Sequence, residues 1–151
     1  MRRSAEITIT HETDLKIAKV KALATVTYAQ HDIGAAISLD SFKTRGMIVA
    51  SRSMRSMSEI ASGVTSGLLT RAADVILKER RRLVLMVRET PLHTGHLRTM
   101  AQLSFRVIVA PPVPAFYARP TLPSEMTDHT VGRMLDLFDI DAGVVRRWRE
   151  T

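Results

Sequence analysis

Residues 71–92 read RAADVILKERRRLVLMVRETPL. Ala72, Ala73 and Ile76 continue an apolar stripe that begins at Leu69, and that spacing predicts a helix over about 68–81. LVLMV (83–87) then runs without a polar residue, the pattern of a strand covered on both faces. Arg88, Glu89, Thr90 and Pro91 leave the strand as a polar loop. A helix, a buried strand and a chemically loaded loop are the repeating unit of a parallel α/β sheet. Arg71, Lys78, Arg80, Arg81, Arg82 and Arg88 fall around this unit. Their charge could serve a solvated face, nucleic acid or a pocket for phosphate groups.

Outward from this unit the same alternation recurs. GMIVA (46–50) and VIVA (107–110) are further apolar strand patterns, and TVTYA (25–29) is a shorter β-rich piece. Helical spacing marks residues 14–24, with Thr13 as N-cap, then 53–62 with Ser53 as cap and Gly63 as stop. Helices are also expected over 93–104 and 124–138. PPVPAFYARP (111–120) is too rich in proline for regular structure. Strands alternating with helices predict a single α/β domain over residues 1–151, a doubly wound parallel sheet covered on both faces. Ligands in such sheets bind beyond the carboxyl ends of the strands. Attention therefore falls on SRSMRS, RETPLH and PPVPAFY.

Composition narrows the function. The chain has 151 residues, 45% apolar and 25% charged, which is ordinary for a globular domain. It contains no cysteine, so thiolate chemistry and Cys-bound zinc are excluded. The start lacks the apolar stretch of a signal peptide, and no apolar run reaches membrane-spanning length, which gives a cytoplasmic expectation. A net charge of +7 points to anionic partners. Only 5% of residues are aromatic and they do not interleave with the basic clusters, which disfavours a base-stacking single-strand binder.

Three clusters carry chemistry. Ser53, Met54, Arg55 and Ser56 open a helix directly after the first clear strand. There, free backbone N–H groups, two hydroxyls and a guanidinium suit a phosphate, although Ser53 equally reads as an ordinary N-cap. Arg88 can fork onto a phosphate or a polar ring edge, and Glu89 beside it can move a proton. A plain ion pair at the rim accounts for the same two residues. Tyr117 follows a proline-stiffened loop at the mouth of the third strand. His93 and His96 could share a helix face, but no third ligand is spaced to complete a zinc site, so no metal is expected.

The stretches TRAADVILKERRRLVLMVRETPLH, GMIVA-x-x-SMRS, PPVPAFYARP and DHTVGRMLDLF together resemble the UbiX-type flavin prenyltransferases, a group that includes proteins named phenylacrylic acid decarboxylases. The resemblance runs from about Ala5 to Trp148. It implies a Rossmann/flavodoxin-like three-layer fold and a transfer of the dimethylallyl group of dimethylallyl phosphate to reduced FMN. The product, prenylated FMN, would serve a UbiD-type decarboxylase. It further implies FMN contacts at Ser53, Met54, Arg55, Ser56 and Arg88, an acid/base role for Glu89, and substrate-phosphate contacts at Tyr117, Arg133, Lys78 and Arg71. Lys78 would also assist catalysis, without a metal. A homo-oligomer, a dodecamer in the family, is expected.

The chain departs from the family pattern in four places. The usual first β-α-β segment with its glycine-rich flavin loop has no counterpart, so weak FMN binding and little turnover are expected of the chain as written. Ser51-Arg52 replace a Pro-Cys, and Leu39-Asp40 replace a Ser-Gly. One residue is missing near Ser104-Phe105-Arg106, which removes a helix-ending glycine. Two other readings stand beside the leading one. The chain could be an aromatic acid decarboxylase subunit acting with a partner, or a non-catalytic basic protein that binds anions or nucleic acid through KERRR and RRWRE.

Overall fold

The computed structural model describes residues 3–147, except the side chains of Arg3, Ser51 and Arg52. The Ser51-Arg52 replacement and the end of the RRWRE tail therefore lie outside the described side chains. Three parallel strands form the sheet in the order β1 (Gly46–Arg52), β2 (Arg82–Val87), β3 (Ile108–Val109). Each connection is helical: α3 (Met54–Ser62) and α4 (Leu68–Lys78) between β1 and β2, and α5 (Thr94–Ser104) between β2 and β3. α6 (Pro123–Asp136) follows the third strand.

The alternation of β2 separates the layers. Leu83, Leu85 and Val87 point into a cluster with Val49, Met57, Ile60, Ala73, Ile76 and Leu103, which come from β1, α3, α4 and α5. Val84 points the other way, against Phe138 and Ala110, with Ile48, Met134 and Leu137 packed around them. A period of two on a central strand thus gives helix, sheet and helix layers. Leu83, Val84 and Leu85 are at most 1% exposed, and burying each stabilises the fold by roughly 1.5–3 kcal/mol.

Several local expectations change. TVTYA is not a strand: residues 25–29 are irregular and no strand lies beside them among the described residues. The loop is instead tied at Gln30, whose carbonyl accepts from Leu68 N at 3.1 Å. Among the described residues β1 consequently lies at one side of the sheet, and of its described side chains only Val49 is buried, fewer than GMIVA suggests. The helix expected at 14–24 is α2 (Ile17–Ala22), and Thr13 does not cap it. Thr13 Oγ1 instead accepts from Leu15 N at 3.2 Å, closing α1 (Arg3–Glu12), a helix the apolar pattern did not announce. α4 ends at Lys78 rather than near 81.

Helix ends explain the rest. Gly63 caps α3 with φ 71. α5 ends without a glycine: Phe105 remains in right-handed helical geometry, and Arg106 N and Val107 N both donate to Leu103 O at 2.9 and 2.8 Å. At the end of α4, Arg80 takes φ 54, while Arg80 N and Arg81 N reach back to Leu77 O and Ile76 O. That is the Schellman pattern, with an arginine where glycine is usual, at roughly 1–2 kcal/mol of backbone strain.

Candidate active site

The carboxyl ends of β1 and β2 are held in register by the pairing of Arg52 with Val87. The next residues are Ser53 and Arg88, so the start of α3 and the Arg88-Glu89 pair stand side by side at one sheet spacing, about 4.8 Å. Between Val49 and Arg52 the register slips, because β1 carries an extra residue there. Bulges of this kind re-aim a strand's end and recur beside active sites.

Ser53 holds the N-cap position, with φ −79 and ψ 145, but its hydroxyl makes no capping bond. It lies 3.2 Å from the Ser56 hydroxyl, and Ser56 is 2% exposed. The first turn of α3 thus presents backbone N–H groups beside paired hydroxyls. Met54 packs against the main core, so any ligand contact from it is apolar or through its backbone. Arg55 Nε donates to Glu59 Oε1 at 2.8 Å while its side chain stays 78% exposed. Arg88 is exposed, and its closest carboxylate is Glu12 of α1 at 4.0 Å. Glu89 makes no hydrogen bond or ion pair among the described residues. Donors therefore dominate this end of the sheet, as a phosphate needs.

Tyr117 sits in a 3₁₀ turn, Phe116–Ala118, beyond β3. Its hydroxyl is 3.4 Å from His129 Nε2, and the two rings meet edge to face at 5.7 Å. His129 is buried on α6, and Arg133 follows four residues later on the same face. Arg133 donates to Asp136 at 2.9 Å, and Arg147 grips both oxygens of Asp136 at 3.1 Å. These guanidinium bonds, Arg147's foremost, hold the Asp136 carboxyl below its ordinary range. Arg146 meanwhile donates to Ala118 O at 3.0 Å.

The first two arginines of RRWRE are thus a strap over α6 and the Tyr117 turn, not a free basic tail. Gly132 lets the strap cross, because a Cβ there would stand 2.5 Å from Val145 Cγ2. Sequence reading found Tyr117 and Arg133 but not His129 or Asp136. The only signal for them was their spacing from Arg133 on α6.

Two predicted residues lie elsewhere. Lys78 ends α4, four residues before β2 begins, so it sits at the amino end of the sheet, away from Ser53 and Arg88 within one chain. Its Nζ is 2.7 Å from Asp40 Oδ2, and this bond to Lys78 lowers the pKa of Asp40. Arg71, in the first turns of α4, contacts Asp74 at 3.5 Å. His93 caps α5 by accepting from Gly95 N at 3.0 Å and stacks on His96 at 3.6 Å. No three His, Cys, Asp or Glu side chains among the described residues are grouped to hold a metal.

Known proteins resemble this chain along nearly its whole length. The Flavoprotein family model matches residues 2–149. The flavin prenyltransferase UbiX of Thauera aromatica is 47% identical over 149 residues, which is 98% of this chain and 77% of that protein. The crystal structure of AnUbiX (PadA1) in complex with FMN and dimethylallyl pyrophosphate superposes with a TM-score of 0.97 at 46% identity, covering 100% of this chain and 81% of that one. A dodecameric FMN-dependent UbiX-like decarboxylase from Escherichia coli O157:H7 superposes at 0.96 and 44% identity, covering 99% and 81%.

Proposed function

The chain belongs to the UbiX-type flavin prenyltransferase family, and from that premise we propose that it transfers the dimethylallyl group of dimethylallyl phosphate to reduced FMN. The observation that carries this reading is the Arg52–Val87 register, which joins the helix start at Ser53 to Arg88 and Glu89. The donor set fits FMN: the phosphate would meet the N–H groups of α3 with Ser53 and Ser56, and Arg88 would reach its phosphate or ring edge. When bound, reduced FMN supplies the electron-rich ring that receives the allylic carbon.

The chain's own residues then have separable tasks. As the allylic C–O bond breaks, its electron pair goes to the departing phosphate. Tyr117 and Arg133 donate to the oxygens where that charge grows, and no metal is required for this. The new bond releases a proton from the flavin ring, for which Glu89 is the acceptor. His129 and Asp136 orient Tyr117 and Arg133. Lys78 is directed to the same phosphate, and its place at the opposite sheet end implies that it is contributed by a neighbouring copy.

A homo-oligomer follows from that division. Exposed Phe105, Phe116, Leu23 and Val113 are apolar surface of the sort an assembly covers. The product would pass to a UbiD-type decarboxylase, so purified chain alone should release no CO₂ from aromatic acids. No helix among the described residues is long and apolar enough to cross a membrane, and cytoplasmic placement is part of the proposal. The test incubates the chain anaerobically with reduced FMN and dimethylallyl phosphate. A product one C₅H₈ unit heavier than reduced FMN supports the assignment, and unchanged flavin under conditions where it binds refutes it.

A further inference from the structure

The amino end of the sheet carries a second concentration of donors. Arg45 precedes β1, Arg82 opens β2, and Arg106 lies two residues before β3. With Arg80 and Arg81 from the end of α4, they line a cavity of about 810 Å³ floored by the buried ring of Phe138. That volume lies within the range of small-molecule sites.

The floor is a built feature. Gly46, with φ 150, lets β1 approach so closely that a Cβ there would stand 2.3 Å from Arg82 O and 2.6 Å from Phe138 Cε1. The Arg82 guanidinium lies 5.7 Å over the Phe138 ring.

Charge compensation for these arginines is incomplete. Asp139 faces Arg82 at 3.8 Å and Glu79 faces Arg81 at 3.6 Å. Arg81 also donates to Phe42 O, and Arg45 to Phe138 O at 3.5 Å. Arg80 and Arg106 have no ion pair among the described residues. The carboxyl ends of α4, α5 and α6 contribute roughly half a negative charge each. Even counted together with both carboxylates, they leave the guanidinium charge in excess. Arg80 moreover keeps its left-handed geometry where glycine would fit without strain, as does Asp139 with φ 57 on the same cavity.

We propose that this cavity is a binding site for an oligophosphate, a short chain of linked phosphate groups presented by a nucleotide or by inorganic polyphosphate. Planar guanidinium forks match successive phosphate oxygens, and a row of them across three strand ends suits a linear anion better than a single phosphate.

Inorganic tripolyphosphate and ATP, each titrated calorimetrically into the full-length chain, test it. Both should bind in the micromolar range at 0.1 M salt and weaken steeply as salt rises. Equal affinities identify the inorganic chain as the source, and tenfold tighter ATP identifies a nucleotide. Arg80→Gly with Arg106→Gln should weaken binding at least tenfold while leaving FMN binding unchanged, and the glycine relieves backbone strain, so the variant should fold. The proposal is overturned if neither anion binds at 1 mM. It is also overturned if binding survives the double variant but is lost with Arg88→Gln, or if RNA binds far more tightly than tripolyphosphate. An equal rise in KM for dimethylallyl phosphate in the double variant would overturn it too, by assigning the cluster to prenyl transfer.

Discussion

Lys78 Nζ and Asp40 Oδ2 lie 2.7 Å apart, joining the end of α4 to a loop 38 residues earlier. The family resemblance places a glycine where this chain has Asp40, so the lysine expected to meet a substrate phosphate already holds a carboxylate. Asp40→Asn should free it and lower the KM for dimethylallyl phosphate several-fold, most clearly at low salt. Both side chains are about half exposed, so little effect on stability is expected. An unchanged KM across the salt series would remove Lys78 from substrate binding.

Glu89 and Arg88 separate proton transfer from flavin binding. Glu89→Gln should lower kcat by roughly 10²–10⁴ and leave FMN affinity intact. Arg88→Lys keeps the charge but loses the planar fork, so FMN affinity should fall roughly tenfold or more. Fluorescence titration of FMN, run beside turnover, distinguishes the two outcomes. Full activity in Glu89→Gln would contradict the proton assignment.

Tyr117→Phe removes one hydroxyl and leaves the ring on His129. A hydrogen bond to a charged group contributes about 1.5–3 kcal/mol, so kcat/KM should fall by about one to two orders of magnitude. Thermal unfolding should move little, because Tyr117 is half exposed. The prediction fails if turnover is unaffected.

The Asp136 clamp gives a pH dependence of known sign. Its folded pKa is lowered, so its contribution is present above the unfolded carboxylate pKa and is lost as pH falls through the lowered value. Wild type should keep the strap at mildly acidic pH, and Asp136→Asn should lose that dependence. Amide exchange at residues 117–119 and 144–147 is the readout: faster exchange in the variant at neutral pH is expected, and equal protection would rule the clamp out.

Gly46→Ala tests the close approach of β1 to β2. The added methyl meets Arg82 O and the Phe138 ring at distances no side chain tolerates, on a backbone that disfavours L residues. A loss of about 1–3 kcal/mol or more in urea unfolding is expected. Wild-type stability would show that the strands can part without cost.

The sequence by itself determined the elements that form locally: the unbroken apolar run of β2, the stripe of α4, Gly63 as the stop of α3, and the proline-rich loop that presents Tyr117. It also carried the family, through motifs lying at strand ends and along α4 and α6. Residues 25–29 show the limit, since apolar and β-branched residues make a strand only where a neighbouring strand completes its ladder. The partners of the site were likewise decided by tertiary structure. His129 reaches Tyr117, Arg147 reaches back to Asp136, and Asp40 takes Lys78, all between side chains on different elements. No periodicity encodes such pairings. The arginines divide in the same way: their sequence clustering showed charge, but only the parallel register revealed that Arg88 lies at one end of the sheet and Arg82, with Arg45 and Arg106, at the other.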